Sequence, residues 1–215
     1  MSESPIIKSI ISLNDVFMQN ESFGDEKNPE IFSYVDNKTH ICLCAPHATK
    51  TFVTKEIKAP DLYTGAIVQY IGKKHKFSYI TRNKFTPYKA LVTDFISSNN
   101  LEHHFFLDIH GMKNHKSFDL AVGTGYLPKK DYRQILEIID FLAKTYNISY
   151  VVNHKNYTGK PGLTGRLQKK TKKPSAIQLE FSKNYRDIFA QPFVVEKSTI
   201  PFISELAEIL EKNKS

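Results

Sequence analysis

One segment, residues 105–112, constrains the fold of this chain more than any other. Its sequence, Phe-Phe-Leu-Asp-Ile-His-Gly-Met, is an apolar run that ends in polar residues, which predicts a buried strand with functional side chains at its carboxyl end. Residues two apart on a strand share a face, so Asp108 and His110 point the same way and Ile109 points to the other side. Gly111 allows a sharp turn or a close approach to a ligand. The segment predicts a metal-binding imidazole near a carboxylate, and the alternative is a surface turn with a capping Asp and a solvated His.

Composition indicates a globular chain with a basic surface. Its 215 residues are 40% hydrophobic, enough for one sizeable core. The formal net charge of +8, from 30 Lys and Arg against 22 Asp and Glu, predicts attraction to anions such as nucleic acid, an anionic membrane or polymer, or acidic small substrates. The alternative is a set of solvated lysine-rich faces with no specific partner.

Three further features bear on the cellular location. Cys42 and Cys44 are one residue apart on a predicted strand, so their parallel side chains are poorly placed for a disulfide and indicate reduced thiols. No basic segment followed by a sustained apolar run marks a signal peptide. No apolar run approaches the ~20 residues that a transmembrane helix needs. We therefore expect a cytoplasmic protein with no membrane partner.

Predicted strands and helices alternate along the chain. An alternating order of this kind favours a parallel sheet covered by helices. We interpret residues 1–38 as a peripheral lead-in with a short strand near residues 31–34, and residues 154–174 as an irregular basic loop. No linker or internal repeat is evident, so residues 1–215 are expected to form a single domain. The predicted strands cover residues 40–45, 77–82, 105–112, 118–123, 149–153 and 175–182, and the predicted helices cover residues 60–74, 88–98, 131–146 and 201–212.

Other polar residues are predicted to lie near the same edge of the sheet. His47 follows a predicted strand that Pro46 ends, because proline cannot donate to a sheet ladder. Asp61 begins a predicted helix and is either its N-cap or a ligand. Glu180 lies in an otherwise apolar strand, where burying an unpaired carboxylate costs roughly several kcal/mol. It therefore needs a metal, an arginine or a proton, as catalytic carboxylates do.

Two imidazoles and two carboxylates can be collected from these positions. They are His47, His110, Glu180 and either Asp61 or Glu56. Zinc in hydrolytic sites commonly takes three protein ligands of N or O type and keeps one position open for water. The metal activates that water and polarises a carbonyl, while a separate carboxylate moves the protons. The set therefore indicates a hydrolytic zinc site.

Four segments resemble the N-formylglutamate amidohydrolase-like family. The resemblance implies a three-layer α/β/α fold like that of the zinc carboxypeptidases, with a mostly parallel mixed central sheet and a zinc site at the strand ends. The segments are Pro46-His47-Ala48, Asp61-Leu62-Tyr63-Thr64-Gly65, Leu107-Asp108-Ile109-His110-Gly111, and Ala176-Ile177-Gln178-Leu179-Glu180 with Tyr185-Arg186.

The resemblance also implies a ligand set for zinc. His47 and His110 would bind the metal, with an acid between them completing the set. In carboxypeptidases the acidic ligand follows the first histidine by three positions, where this chain has Lys50. The third ligand is then Asp61 or Glu56, and we prefer Asp61 because it belongs to the matching Asp-x-x-Thr-Gly segment.

Catalytic and substrate-binding roles follow from the same resemblance. Glu180 would act as general base and acid. Arg82 and Arg166 are similar in placement to arginines that hold a substrate carboxylate or polarise the scissile carbonyl, and the planar fork of arginine suits a carboxylate. Gln178 shares the face of Glu180 and is assigned to substrate binding.

The sequence is therefore interpreted as a zinc-dependent hydrolase. Its expected substrate is an N-acyl amino acid or a small or γ-linked peptide with a free carboxylate. One alternative is a catalytically degenerate member that uses the old site to sense a ligand. Another is a protein that binds nucleic acid or another polyanion through residues 169–173, although this run lacks the interleaved aromatic residues of single-strand binders.

Overall fold

The computed structural model describes residues 4–53 and 55–213. Most of its strands join one central sheet, and β3 and β4 form a separate hairpin. The strands are β1 (Phe32–Val35), β2 (Ile41–Ala45), β3 (Thr51–Val53), β4 (Glu56–Lys58), β5 (Ser78–Arg82), β6 (Phe105–Gly111), β7 (Leu120–Gly123), β8 (Tyr150–Val152) and β9 (Ala176–Phe181). The longer helices are α1 (Pro5–Ser22), α2 (Thr64–His75), α3 (Val92–Ser98), α4 (Arg133–Thr145), α5 (Leu163–Thr171) and α6 (Ile200–Lys212).

The central sheet is mixed, with parallel strand pairs in its middle. Within the described ranges it holds seven strands in the order β1-β5-β2-β6-β9-β7-β8. β5, β2, β6 and β9 run parallel to one another, whereas β1 and β7 pair antiparallel with their inner neighbours. β8 runs parallel to β7. The carboxyl ends of β2, β6 and β9 therefore meet at one edge, which is where α/β sheets place ligands.

Helices cover both faces of the sheet. Leu43, Leu107 and Leu179 belong to a core cluster with residues of α1, α2, α4 and α6. Cys44 and Phe106, on the opposite face of their strands, belong to a second cluster with residues of α3 and α5. The strand alternation thus builds two cores on one sheet. The predicted three-layer α/β/α fold with a mostly parallel mixed sheet is confirmed.

The first part of the chain contributes to the core, in contrast to the predicted peripheral lead-in. The hydroxyl of Ser4 caps α1 by accepting a hydrogen bond from the Ile7 N–H at 3.2 Å, although the backbone leaves helical geometry from Gln19 onward. Ile10 and Phe17 of α1 are buried in the larger core cluster. The short strand predicted near residues 31–34 is present as β1, at the edge of the sheet.

Two segments contain regular structure that the sequence did not predict. Residues 154–174 include α5, so the predicted irregular basic loop is wrong over that helix. The segment between β2 and α2 contains the β3–β4 hairpin. Neither feature disturbs the sheet order, but both place residues around the strand ends. No helix in the described part of the chain is long and apolar enough to cross a membrane.

Candidate active site

Two histidines meet at the carboxyl edge of the sheet. His47 lies just beyond β2, and His110 lies on β6, which pairs directly with β2 in parallel. The centroids of the two imidazole rings are 5.1 Å apart. Because neighbouring parallel strands end at the same edge, two residues far apart in sequence become neighbours here. The structure thus brings together the two histidines that the sequence predicts as ligands.

His110 is held between two carboxylates. Its Nδ1 lies 3.0 Å from Oδ2 of Asp61, and its Nε2 lies 3.0 Å from Oδ1 of Asp108. All three side chains are buried. Asp108 comes from the same strand face two residues earlier, as the sequence alternation predicts. A carboxylate on one ring nitrogen fixes the orientation of the imidazole and the nitrogen that it presents on the other side.

Local backbone contacts deliver Asp61 to this position. Its N–H donates to the backbone oxygen of His47 at 2.8 Å, which ties the two segments together. The hydroxyl of Thr64 donates to the backbone oxygen of Asp61 at 2.7 Å and closes the turn that precedes α2. No side-chain capping bond from Asp61 to α2 is present among the described residues, so its carboxylate is directed to His110 and does not cap the helix.

The electrostatics of this cluster are unusual. Burial disfavours a charged imidazole, but the carboxylates of Asp108 and Asp61 outweigh it and hold the pKa of His110 well above its usual value. Burial would raise the pKa of Asp61, but its hydrogen bond with His110 and the nearby positive charge lower that pKa below the usual range. Removal from water, with Lys58 and His110 nearby, lowers the pKa of His47. Without a metal, the proton of the cluster therefore resides on His110.

The donor set fits zinc, although it is not arranged as a ready cage. No three His, Cys, Asp or Glu side chains within residues 4–53 and 55–213 already surround a common metal position. Instead, Asp61 binds His110 through Oδ2 and lies 3.4 Å from Nζ of Lys58 through Oδ1. Two imidazoles and one carboxylate at the end of a sheet are a chemically suitable set for zinc. Oδ2 of Asp108 is buried with no hydrogen-bond partner in the described structure, so one carboxylate oxygen beside His110 is left unpaired.

The structure also distinguishes between the two candidate acids. Glu56 is an exposed residue of the β3–β4 hairpin, whereas Asp61 is buried against His110. Lys50, at the position where carboxypeptidases carry their acid, places its ammonium group 4.1 Å from the centroid of the Phe23 ring. Asp61 is therefore the acid that the fold brings to the histidines.

Glu180 and Gln178 face this cluster from the next strand. Across the parallel pair of β6 and β9, His110 is opposite Glu180 and Asp108 is opposite Gln178. Nε2 of Gln178 donates to Oε1 of Glu180 at 2.5 Å. Burial raises the pKa of Glu180 and outweighs the positive charge of His110. A carboxylate with a raised pKa is suited to proton transfer closer to neutral pH than an ordinary glutamate.

A cavity of about 430 Å³ opens over these side chains. The strand ends form its floor, the β3–β4 hairpin contributes one rim, and the segments before α3 and α5 form the remaining walls. A cavity of this size is within the range of small-molecule sites. Its lining includes His47, Val53, Lys58, Arg82, Lys89, Leu91, His110, Asn156, Thr158, Gly162, Arg166, Gln178 and Glu180.

The two predicted substrate-binding arginines occupy different environments. Arg82 is buried, donates from Nε to the Pro46 oxygen at 3.0 Å and from Nη2 to the Ala90 oxygen at 2.6 Å, and has its pKa lowered to about 10 by burial. It therefore braces two walls of the cavity. Arg166 lies on α5 and donates from Nε to the Pro161 oxygen at 3.1 Å. No carboxylate among the described residues forms an ion pair with it, so its fork remains available at the cavity.

Arg186 is a further residue at the site whose role the sequence does not reveal. Nη1 donates to the Leu62 oxygen at 2.8 Å, and Nη2 donates to the Met112 oxygen at 3.3 Å. Its side chain packs directly against Gly111, where a Cβ would lie 2.4 Å from the arginine Nε. Gly111 thus permits a close approach of Arg186, which ties the end of β6 to the Asp61 segment. The Tyr185-Arg186 pair was the only sequence signal for it.

Comparison with solved structures identifies the fold. No family model matches the chain, and no curated protein matches its sequence. N-formylglutamate amidohydrolase from Ralstonia eutropha JMP134 superposes with a TM-score of 0.56 at 9% identity, covering 85% of this chain and 99% of that protein. This chain has the N-formylglutamate amidohydrolase fold.

Other proteins share this N-formylglutamate amidohydrolase fold. A bacteriophage poly-γ-glutamate hydrolase matches with a TM-score of 0.55 at 13% identity, covering 87% of this chain and 91% of the hydrolase. A zinc-free apo form of YndL matches with a TM-score of 0.52 at 12% identity, covering 87% and 93% of the two chains. The resemblance that the sequence motifs indicated is therefore confirmed at the level of the fold.

Proposed function

We propose that this chain is a zinc-dependent hydrolase that cleaves an amide bond in a substrate with a free carboxylate, such as an N-acyl amino acid or a small γ-linked peptide. The observation that carries the proposal is the meeting of His47, Asp61 and His110 at the strand ends, with Glu180 directly opposite His110. The neighbours named as N-formylglutamate amidohydrolase and poly-γ-glutamate hydrolase support amide hydrolysis, and the zinc-free form of YndL supports zinc as the metal.

The ligand residues would be His47, Asp61 and His110. Zinc bound there would supply a Lewis acid that polarises a carbonyl oxygen and lowers the pKa of water. Asp108 accepts a hydrogen bond from Nε2 of His110 and so leaves Nδ1 as the nitrogen that faces Asp61. This contact orients the ring before any metal binds, and it raises the basicity of the imidazole.

Glu180 is the residue that moves protons in the proposed reaction. It accepts a proton from the attacking water and passes it to the nitrogen of the leaving amine, which is the role of a general base and then a general acid. Its raised pKa brings both steps closer to neutral pH. Gln178 holds one carboxylate oxygen by its hydrogen bond and leaves the other for water or the amine.

The charges around the cavity favour an acidic substrate. Arg166 presents an arginine fork without a carboxylate partner in the described structure, and Lys89 adds an exposed ammonium at the rim. Bidentate binding of a substrate carboxylate by Arg166 would place the neighbouring amide over the floor of the cavity. Arg82 would act on the substrate through the walls that it braces, because each of its three guanidinium nitrogens donates to a backbone oxygen.

Elemental analysis of the purified chain tests the metal. We expect about one zinc per chain, lost in both His47→Ala and His110→Ala. His103→Ala, which removes an exposed histidine away from this cluster, is the matched control and should keep its zinc. A native chain that holds no zinc even after the metal is added back would overturn the proposal.

Hydrolysis assays test the assigned proton carrier. With N-acyl amino acids and γ-linked peptides as substrates, Glu180→Gln should lower turnover by about 10²–10⁴-fold. Zinc content should be unchanged, because Glu180 is not among the proposed ligands. Full activity in Glu180→Gln would remove this residue from the reaction.

A further inference from the structure

A second cavity adjoins the one over the candidate active site. Its volume is about 440 Å³, close to that of the first. The two cavities share Thr93, Pro161 and Arg166 in their walls, so the guanidinium of Arg166 stands at the boundary between them. A ligand that binds at Arg166 can therefore extend from one cavity into the other.

The second cavity carries an excess of positive charge. Nζ of Lys169 lies 4.6 Å from the ring centroid of Tyr126, and Nζ of Lys160 lies 5.8 Å from the same centroid. Neither ammonium group nor Arg166 has a carboxylate partner among the described residues. Lys170 is different because it is paired with Glu102. The lining holds a single acid within the described ranges, Asp94.

The turn that carries Tyr126 into this cavity is held by hydrogen bonds within the protein. Oε1 of Gln168 accepts from the Tyr126 N–H at 2.7 Å, and Nε2 of Gln168 donates to the Thr124 oxygen at 2.6 Å. Gly125 has a φ of +72°, which permits the tight turn between these two contacts. The backbone at Tyr126 is therefore held in place without a ligand, and Lys160 and Lys169 lie over the half-exposed ring. Binding there does not have to order the loop first.

We propose that this second cavity, formed by Lys160, Arg166, Lys169 and Tyr126, is a subsite for a further carboxylate of an oligomeric acidic substrate. Such a substrate is an amide-linked chain with a carboxylate on successive units. This inference rests on the proposed hydrolase function and specifies the substrate class for it. Arg166 binds the carboxylate next to the scissile amide, and the two lysines bind the carboxylate of the next unit. Lysines suit this second position because their mobile ammonium groups adapt to carboxylates at more than one spacing.

Equilibrium binding tests the subsite without turnover. The probe is γ-linked tetraglutamate, titrated by calorimetry into the zinc-supplemented full chain carrying Glu180→Gln. The pocket variant adds Lys160→Gln and Lys169→Gln. The matched control adds Lys173→Gln and Lys212→Gln instead, which removes the same charge from exposed residues outside both cavities.

The pocket variant should bind tetraglutamate about tenfold more weakly than its parent, while the control stays within about twofold. The difference should shrink as salt is raised, because exposed charges are screened. Equal losses in the pocket and control variants, or no binding by the parent, would overturn the subsite. Tighter lysine-dependent binding of a short oligothymidylate than of tetraglutamate would also overturn it, in favour of a nucleic-acid site.

The subsite and the hydrolase function can fail separately. Cleavage of N-acyl amino acids together with tetraglutamate binding that is indifferent to Lys160 and Lys169 leaves the function standing and removes the subsite. Lysine-dependent binding of tetraglutamate, together with a native chain that cleaves no amide, would leave the subsite standing and remove the hydrolase function.

Discussion

Toward the carboxyl end of β6, its two faces carry opposite kinds of side chain, whereas Phe106, earlier on the polar face, is buried in the second core. Leu107 and Ile109 are buried in the larger core, whereas Asp108 and His110 project from the other face toward the cavity. β9 repeats the pattern, with its aliphatic residues in the same core and Gln178 beside Glu180 on the opposite face. Strand alternation thus lets the same two strands bury aliphatic side chains on one face and present polar groups near the end of the other.

The polar face tolerates burial because most of its groups bind one another. His110 is bound at both ring nitrogens, and the carboxylate of Glu180 accepts from Gln178. A buried polar group costs little when it is hydrogen-bonded and much when it is not. Oδ2 of Asp108 is the exception, since it is buried without a partner in the described structure. Substitutions on the two faces should therefore have different consequences.

The largest effect on folding is expected from the apolar face. Leu107→Ala should lower the free energy of unfolding by about 2–5 kcal/mol, because it removes a fully buried side chain and leaves a cavity. Zinc bound per folded chain should not change. Urea denaturation followed by elemental analysis of the folded fraction measures both quantities. Loss of zinc at an unchanged free energy of unfolding would contradict the proposal that the apolar face serves stability and the polar face binds the metal.

On the polar face, zinc affinity should change more than the free energy of unfolding. Asp108→Asn should weaken zinc affinity by about 10–100-fold, because the carboxylate that orients His110 and raises its basicity is lost. The free energy of unfolding should fall by less than in Leu107→Ala, because asparagine keeps the shape of the side chain and an oxygen that can accept from Nε2 of His110. Competition with a chromophoric chelator gives the affinity, and Asp131→Asn, at an exposed acid, is the control. Equal affinities in the two variants would contradict the assigned role.

The smallest expected effect is a pH dependence of zinc binding at the polar face. The pKa of His110 is held well above its usual value by Asp108 and Asp61 despite burial, so its ring is protonated at neutral pH in the metal-free chain. Zinc requires the neutral ring, so binding should release a proton and affinity should rise about tenfold per pH unit below that pKa. Calorimetry in buffers of different ionisation enthalpy counts the released protons. Zinc binding without proton release would show that His110 is not a ligand.

The central strands were predictable because their sequences are unambiguous. β2, β6 and β9 are apolar runs of strand length, and polar residues mark where the runs end. Parallel order then brings His47, His110 and Glu180 to one edge, which needs no knowledge of side-chain contacts. The roles of these residues remain predictions, but their proximity follows from strand order alone.

Two helices, α1 and α5, were not predicted from the sequence, for different reasons. α1 does carry a signal, because Ser4 precedes Pro5 and the buried residues Ile7, Ile10 and Phe17 follow at helical spacing. α5 is largely polar and contains Gly165, and glycine disfavours the interior of a helix. A Cβ at Gly165 would lie 2.2 Å from the oxygen of residue 160, so this glycine serves packing between the helix and the preceding loop. Only the folded structure shows such a contact.

The different environments of Arg82 and Arg166 could not be predicted from the sequence either. The backbone oxygens that bind Arg82 come from Pro46, Lys84 and Ala90, which lie in separate segments of the chain. Nothing in the residues flanking Arg82 indicates that its donors are taken by backbone oxygens. Arg166, in contrast, gains its availability from its position on α5 at the boundary of two cavities.

The central position of β9 has a consequence for how the protein acquires its site. β9 comes late in the sequence, yet it pairs with both β6 and β7 and supplies Glu180. During synthesis, both histidines emerge well before the strand that completes their surroundings. Pairings so distant in sequence form slowly, because the loop between them must close first. Zinc that prefers the finished site would therefore stabilise the last step of folding and make metal content a measure of correctly folded chain.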